Sequence, residues 1–205
     1  MIVFACVSPH PPLLLPAVGS LSDKEKVSLT IKSLNILGNE LKKANPDKII
    51  ISSPHDDWGF NVPLFFVANG KKMETEKYLT GSELPKYYFE EGKIRGFEIE
   101  NCQEKVALIA SGDMSHCLKT DGPYGYHVDG PAFDQGFIKA LNEKNIERII
   151  TLDNKFPEAG ECGLRSFAYL LGILIGSKRN WTPEILSYEW PFGVGYLTVK
   201  FNIDQ

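Results

Sequence analysis

The stretch that decides the fold is Ile2-Val3-Phe4-Ala5-Cys6-Val7, a short apolar run that ends at Ser8-Pro9-His10-Pro11-Pro12. Such a run is typical of a buried strand, and the prolines after it can continue neither a helix nor a central strand. The arrangement returns further along the chain, where Lys48–Ser52 predicts a second buried strand and Ser53-Pro54-His55 follows it. The sequence therefore predicts two strands that each deliver a histidine into a Ser-Pro-His loop.

The residues around these two strands predict the fold class. Apolar residues recur every three or four positions from Val27 to Leu41, which predicts a helix to Ala44 that begins at a capping box of Ser22 and Glu25. Strand, helix and strand in this order form a βαβ unit with parallel strands. We expect a single α/β domain over residues 1–205, with a mostly parallel central sheet flanked by helices. Further strands are predicted at residues 61–68, 97–99, 105–110, 183–188 and 195–201, and further helices at 85–91, 131–142, 145–152 and 164–175.

Length and composition exclude several functional classes. The chain has 205 residues, enough for one domain with a real core. Its net charge of −4 argues against nucleic-acid binding, which needs a basic surface. No apolar run reaches the roughly 18 residues of a membrane span, and Met1–Val7 lacks the basic start of a signal peptide. The four cysteines form no C-x-x-C pair, which argues against a zinc knuckle or ribbon. Because the sequence shows no secretion signal, we predict a cytoplasmic protein with reduced thiols.

Three of the four histidines follow predicted buried strands: His10, His55 and His116. Ligands of open α/β sheets bind outside the carboxyl ends of the strands, so these imidazoles are candidate metal ligands, although each alone also fits a loop histidine that bonds only backbone. Two imidazoles and one carboxylate form the facial triad of non-haem Fe(II) oxygenases. Five carboxylates lie near loop or strand ends: Asp56, Asp57, Asp113, Glu161 and Glu189.

Glu161 is the preferred third ligand, because Gly160-Glu161-Cys162-Gly163 opens a predicted helix whose N-terminus favours a negative charge. The alternative for Glu161 is a solvated first-turn residue, and Cys162 is a softer alternative ligand. Asp113 could orient His116 as an acid/base group, or could simply form the turn at Ser111-Gly112-Asp113.

Four motifs together resemble the class III extradiol ring-cleavage dioxygenases, the LigB-like proteins. They are Ser8-Pro9-His10-Pro11-Pro12, Ser53-Pro54-His55, residues 111–116 (SGDMSH) and residues 160–166 (GECGLRS). Within this superfamily the chain is most similar to the branch of AmmeMemoRadiSam system protein B and Memo. The resemblance implies iron ligands at His10 and His55, a carboxylate ligand near Glu161 and an acid/base role for His116. Memo-like proteins have a cysteine in this neighbourhood, which keeps Cys162 as a candidate.

The resemblance also implies the partners of the site. An enzyme of this kind uses Fe(II), with Zn(II) as the alternative, and acts on a small catechol-type aromatic and O₂, and its relatives often form homodimers. We expect Ser8, Ser53, Tyr124 and Tyr126 to line the substrate pocket. Family members usually carry a longer middle section with an Asp-His-Gly motif that helps build this pocket, whereas residues 68–104 here are short and contain no histidine. A metal-dependent hydrolase and a non-catalytic accessory or binding protein are therefore the rival hypotheses.

Overall fold

A computed structural model describes residues 1–68 and 73–204. Six strands form one sheet: β1 (Ile2–Ser8), β2 (Lys48–Ser53), β3 (Glu74–Leu79), β4 (Val106–Ser111), β5 (Trp181–Glu189) and β6 (Tyr196–Ile203). Their order across the sheet is β3-β2-β4-β1-β6-β5. The first four strands are parallel, and β6 pairs antiparallel with both β1 and β5. This confirms the predicted α/β class with its mostly parallel sheet.

Eight helices flank the sheet in the described residues: α1 (Leu21–Lys26), α2 (Ser28–Ala44), α3 (Trp58–Val67), α4 (Pro85–Glu100), α5 (Asp129–Asn142), α6 (Ile146–Ile149), α7 (Leu152–Lys155) and α8 (Leu164–Gly176). A 3₁₀ turn, Pro12–Leu14, follows β1. None of these helices is long and apolar enough to cross a membrane.

Helices cover both faces of the sheet. Along β2, Ile49 and Ile51 pack with Leu37 of α2 on one face, whereas Ile50 belongs to the cluster on the other face, with Phe167 of α8. Alternate strand residues point to opposite faces, and burial of both faces explains why the strands appear in the sequence as unbroken apolar runs.

Glycines allow α4 and α8 to pack backbone against backbone. Gly92 and Gly96 lie on α4, and Gly172 and Gly176 lie on α8. A Cβ atom at any of the four would overlap a carbonyl oxygen of the opposite helix. The second helical layer thus forms a rigid unit behind the parallel strands.

The structure corrects three local predictions. The predicted strand at 61–68 is wrong, since residues 61–67 belong to α3; a short apolar run buried on several sides looks the same in either conformation. The capping box lies two residues earlier than predicted: the Ser20 side chain accepts from the Asp23 backbone N–H, and Asp23 reaches back to Ser20. Residues 97–99 continue α4, and the edge strand β3 was not predicted because it is largely polar.

Candidate metal centre

Three adjacent parallel strands bring the candidate residues to one edge of the sheet. His10 lies two residues beyond β1, His55 two beyond β2, and Asp113 two beyond β4. In the sheet β4 lies between β1 and β2, and Ser8 pairs with Ser111 at the ends of their strands. The loops that follow therefore share one space, as expected for the carboxyl edge of a parallel sheet.

A group of metal-ligating side chains forms where these loops meet. His10, His55 and Cys162 each offer a ligand atom, and these atoms all lie within 4.8 Å of one another. A second group, Asp113, His116 and Cys162, meets the same criterion. Cys162 belongs to both groups, so its thiol is the point where the two halves of the site join.

The hydrogen bonds around His10 indicate which ring nitrogen is available. His10 Nδ1 lies 2.9 Å from Ser111 Oγ, and the Ser111 hydroxyl donates its only proton to the carbonyl oxygen of Gly59. Ser111 must therefore accept from His10, which puts the imidazole proton on Nδ1 and leaves the lone pair of Nε2 free. Metal-ligating histidines are commonly oriented in this way by a partner on the other nitrogen.

Pro63 explains why Gly59 can receive the serine proton. In a regular α-helix the N–H of residue 63 would donate to the carbonyl of residue 59, but proline has no N–H. The Gly59 carbonyl inside α3 thus lacks its usual partner and accepts from Ser111. In this way α3, which follows β2, helps to fix the ring of His10, which follows β1.

Burial keeps His10 uncharged. The residue is 2 % exposed, and this burial, together with repulsion from His55, lowers the pKa of His10 to about 3. A neutral imidazole is the form that binds a metal.

Asp113 links the loop after β1 to the loop before α8. Its carboxylate accepts the backbone N–H of His10 at 3.1 Å, and its own N–H donates to Cys162 Sγ at 3.3 Å. The Asp113 carbonyl accepts the N–H of Gly163 at 3.0 Å. Burial raises the pKa of the Asp113 carboxyl to about 6, so at neutral pH the group is mainly ionised.

Glu161 and Cys162 are neighbours in the chain but have different surroundings. The Glu161 carboxylate accepts from the Leu164 N–H at 2.6 Å and pairs with Arg165 at 3.4 Å, so it satisfies the start of α8. Burial raises the pKa of Glu161 to about 7. Cys162, in contrast, places Sγ 3.6 Å from His10 Nε2. The structure thus brings Cys162, and not the predicted Glu161, into the ligand group with His10 and His55.

His116 has a free ring nitrogen. Its Nε2 is buried and has no hydrogen-bond partner among the described residues. The ring of Tyr124 lies beside it, with centroids 4.9 Å apart. Burial lowers the pKa of His116, and the nearby Asp113 carboxylate partly offsets this shift. A buried nitrogen without a partner costs free energy, so this atom is suited to a proton donor or acceptor on a ligand.

A cleft of about 380 Å³ opens over the site and is lined by the three histidines and Asp113. Its walls include Tyr124, as predicted, and also Trp58, Val194 and Tyr196. The sequence did not predict these three, although Trp58 closely follows His55 and the other two belong to the Gly-Val-Gly-Tyr stretch that leads into β6.

Three predicted pocket residues do not line the cleft. Ser8 and Ser53 are fully buried, and their hydroxyls bond the Pro9 and His55 carbonyls within their own loops. Tyr126 is exposed but lies outside the lining. The two serines therefore shape the histidine loops rather than contact a substrate.

The sequence over residues 56–199 matches a protein family described as the catalytic LigB subunit of aromatic ring-opening dioxygenase. The chain belongs to the LigB family. The matched range contains Asp113, His116 and Cys162, while His10 and His55 precede it. LigB-family enzymes typically use a metal, which agrees with the candidate ligand groups found here.

Two further similarities place this LigB-family chain among known proteins. It is 30% identical over 265 aligned positions to Protein CA_C1420 of Clostridium acetobutylicum, an alignment that covers 95% of this chain but 56% of that protein. The chain thus spans little more than half the length of this relative. The crystal structure of uncharacterized protein JW3007 from Escherichia coli K12 has the same fold, with a TM-score of 0.65 at 16% identity over 97% of this chain and 99% of that one.

Proposed function

We propose that the protein is a metal-dependent extradiol-type ring-cleavage dioxygenase that acts on a catechol-type aromatic, with the ion held by His10, His55 and Cys162. The observation that carries the proposal is the convergence of these three ligand atoms within 4.8 Å of one another, two of them on histidines that line the cleft. Membership of a ring-opening dioxygenase family supports the same chemistry.

The spacing of the donors fits a single ion. Bonds of about 2.3 Å to sulfur and about 2.0 Å to nitrogen around a tetrahedral ion separate the two ligand atoms by roughly 3.6 Å. Cys162 Sγ lies 3.6 Å from His10 Nε2. Burial raises the pKa of the Cys162 thiol well above its usual value, so the proton leaves only when a cation takes its place. Glu161 is the alternative third ligand. To bind the ion, its carboxylate would have to give up its bonds to the start of α8.

The bound metal, which we propose to be Fe(II), supplies a centre at which substrate oxygens and O₂ meet. The protein residues supply the proton chemistry. His116 Nε2, which has no partner in the described residues, accepts the phenolic proton and returns it to the opened ring. Asp113 stabilises the protonated imidazole, because its carboxylate is the nearby negative charge that raises the pKa of His116 against the effect of burial.

A zinc-dependent hydrolase is the second candidate, favoured by one observation. Thiolate is a soft ligand that suits Zn(II), and the tetrahedral spacing above is the geometry that zinc prefers. In this alternative the same residues would hold Zn(II) and activate a water molecule.

We further propose a cytoplasmic protein of the AmmeMemoRadiSam system protein B and Memo branch that forms a homodimer. Its four cysteines are all free thiols, which suits a reducing compartment.

Metal analysis and oxygen uptake test the proposed function. We expect anaerobically purified protein to bind one Fe(II) per chain and to consume O₂ with catechols. Iron-loaded protein that consumes no O₂ across a panel of catechols and aminophenols would contradict the dioxygenase proposal, and zinc with hydrolytic turnover would favour the second candidate.

A pair of neighbouring substitutions tests the ligand assignment. Co(II) bound by a thiolate gives a sulfur-to-cobalt absorption band, which Cys162→Ser should remove. Glu161→Gln is the matched control, because the amide oxygen can still accept from Leu164 while the charge is lost. If Glu161→Gln weakens metal binding and Cys162→Ser leaves it intact, the third ligand is Glu161.

A further inference from the structure

We infer that the cleft selects aromatic substrates whose ring carries no anionic substituent, because its walls offer aromatic faces and a carboxylate but no cation. The inference rests on the proposed function and names the substrate class of the same site.

The side chains that line the cleft include a carboxyl group but no permanently charged cation among the described residues. Among the described residues that line it there is no lysine or arginine. Among the same residues the one carboxyl group is that of Asp113, which is 6 % exposed.

Three cationic side chains that the structure describes make contacts outside this lining. Lys26 and Lys119 line a separate recess together with Trp190. Arg165 pairs with Glu161 and donates to the carbonyl of Glu83 at 2.8 Å. None of the three belongs to the lining of the cleft, so an acidic ring substituent meets no positively charged side chain among the described residues that line it.

Two exposed aromatic rings stand beside the histidines instead. Trp58 is 46 % exposed and its ring centroid lies 5.9 Å from that of His55. Tyr124 is 64 % exposed and lies 4.9 Å from His116. Such rings favour flat apolar partners, which the uncharged part of a catechol ring provides.

The expected discrimination follows from desolvation. A carboxylate on the substrate ring gives up hydration on entering the cleft, and burial of a charge without a partner is costly. The carboxylate of Asp113 adds repulsion. A methyl group in the same ring position incurs neither penalty, so we expect the neutral ring to bind about tenfold or more tightly than the acid.

The test compares three ligands that share the catechol ring. We would measure the Kd of 4-methylcatechol, 3,4-dihydroxybenzoate and methyl 3,4-dihydroxybenzoate by calorimetry on the Fe(II)-loaded protein without oxygen, so that no turnover occurs. The methyl ester is as large as the acid but neutral, and it separates charge from size. We expect 4-methylcatechol and the ester to bind tightly and the acid weakly, with a difference that shrinks at high salt.

An added cation should reverse the preference. Pro12 is exposed and lines the cleft, so Pro12→Lys places an ammonium group at the rim without removing a buried side chain. We expect this variant to bind the acid more tightly than the unaltered protein does, and the neutral control Pro12→Gln not to.

The outcomes separate this inference from the proposed function. Binding of the acid as tight as that of the neutral ligands overturns the inference, while catechol binding still supports the proposed function. The expected order of affinities without O₂ consumption in air supports the inference and overturns the dioxygenase activity. If none of the three ligands binds the metal-loaded protein, both fail.

Discussion

The two sides of the site are built differently. On the ligand side, formed by His10, His55 and Cys162, the ring of His10 is fixed through Ser111 and Gly59, and the thiol of Cys162 accepts from the backbone of Asp113. On the proton side, formed by His116 and Tyr124, the ring nitrogen Nε2 of His116 has no partner in the described residues, and Tyr124 is largely exposed.

This difference indicates separate roles. A ligand benefits from a fixed ring and a fixed tautomer, because geometry held in advance lowers the entropy lost on metal binding. A proton carrier needs an open position for the substrate. Substitutions on the ligand side should therefore change metal affinity, and substitutions on the proton side should change turnover alone.

His10→Ala should have the largest effect. The change removes the buried Nε2 that faces Cys162, and a site left with two protein ligands no longer holds the ion stoichiometrically. We expect metal analysis after gel filtration to find the ion in the unaltered protein and not in the variant. Stoichiometric metal in folded His10→Ala would refute the assignment of the ligand side.

His116→Gln should separate turnover from metal binding. Positioned acid–base groups contribute about 10²–10⁴-fold to rate, so we expect kcat to fall by about this factor while the metal content stays unchanged. Steady-state kinetics and metal analysis on the same sample measure both quantities. Loss of the metal in this variant would mean that His116 is itself a ligand, as its grouping with Asp113 and Cys162 also allows.

The sequence predicted the location of the candidate site better than it predicted which side chains make up that site. Strands β1, β2 and β4 are apolar runs buried on both faces, and such runs can be found from sequence, so the histidines that follow them could be assigned to one edge. The choice between Glu161 and Cys162 could not be made in the same way. It depends on which of the two side chains turns toward the start of α8. The directions of two adjacent side chains can be told apart only once the backbone conformation is known.

Long-range contacts explain what else the sequence did not predict. Residues 58–67 form α3, although Pro63 lies within it and proline usually breaks a helix interior. The helix tolerates the proline because the Gly59 carbonyl accepts a hydrogen bond from Ser111, a residue more than fifty positions away in the chain. Trp58 was missed for a related reason, since its place in the cleft follows from the start of the same helix.

Ser111→Ala should weaken the ligand side without removing a ligand. The variant loses the partner of His10 Nδ1, and loss of such an outer partner typically costs 10–100-fold in metal affinity. Competition with a chelator would measure the change. Ser52→Ala is the matched control, because Ser52 is an equally buried strand-end serine that bonds Ser166 and no histidine. Equal losses in the two variants would point to general loosening of the sheet.

Asp134 anchors the proton side and should make it sensitive to pH. This fully buried carboxyl accepts from the Ser115 N–H at 2.8 Å and from the Tyr188 hydroxyl at 2.6 Å, and Ser115 precedes His116. Burial raises the pKa of Asp134 from 3.8 to about 6. Between these pH values the folded protein keeps a proton that the unfolded chain releases, so stability is lost as the pH rises from about 4 to about 6.

Asp134→Asn should remove this loss, because asparagine cannot ionise; its amide oxygen can still accept from the Ser115 N–H, and its amide N–H can donate to the Tyr188 hydroxyl oxygen. A shift of this size corresponds to about 3 kcal/mol. Between pH 4 and pH 7 the free energy of unfolding of the variant should therefore rise, relative to that of the unaltered protein, by up to this amount. Urea denaturation of metal-free protein at several pH values measures the difference. Asp121→Asn, at a side chain that is 81 % exposed, should follow the unaltered protein throughout. A constant offset between Asp134→Asn and the unaltered protein at every pH would show that the carboxyl does not titrate in this range and would contradict the predicted pH sensitivity of the proton side.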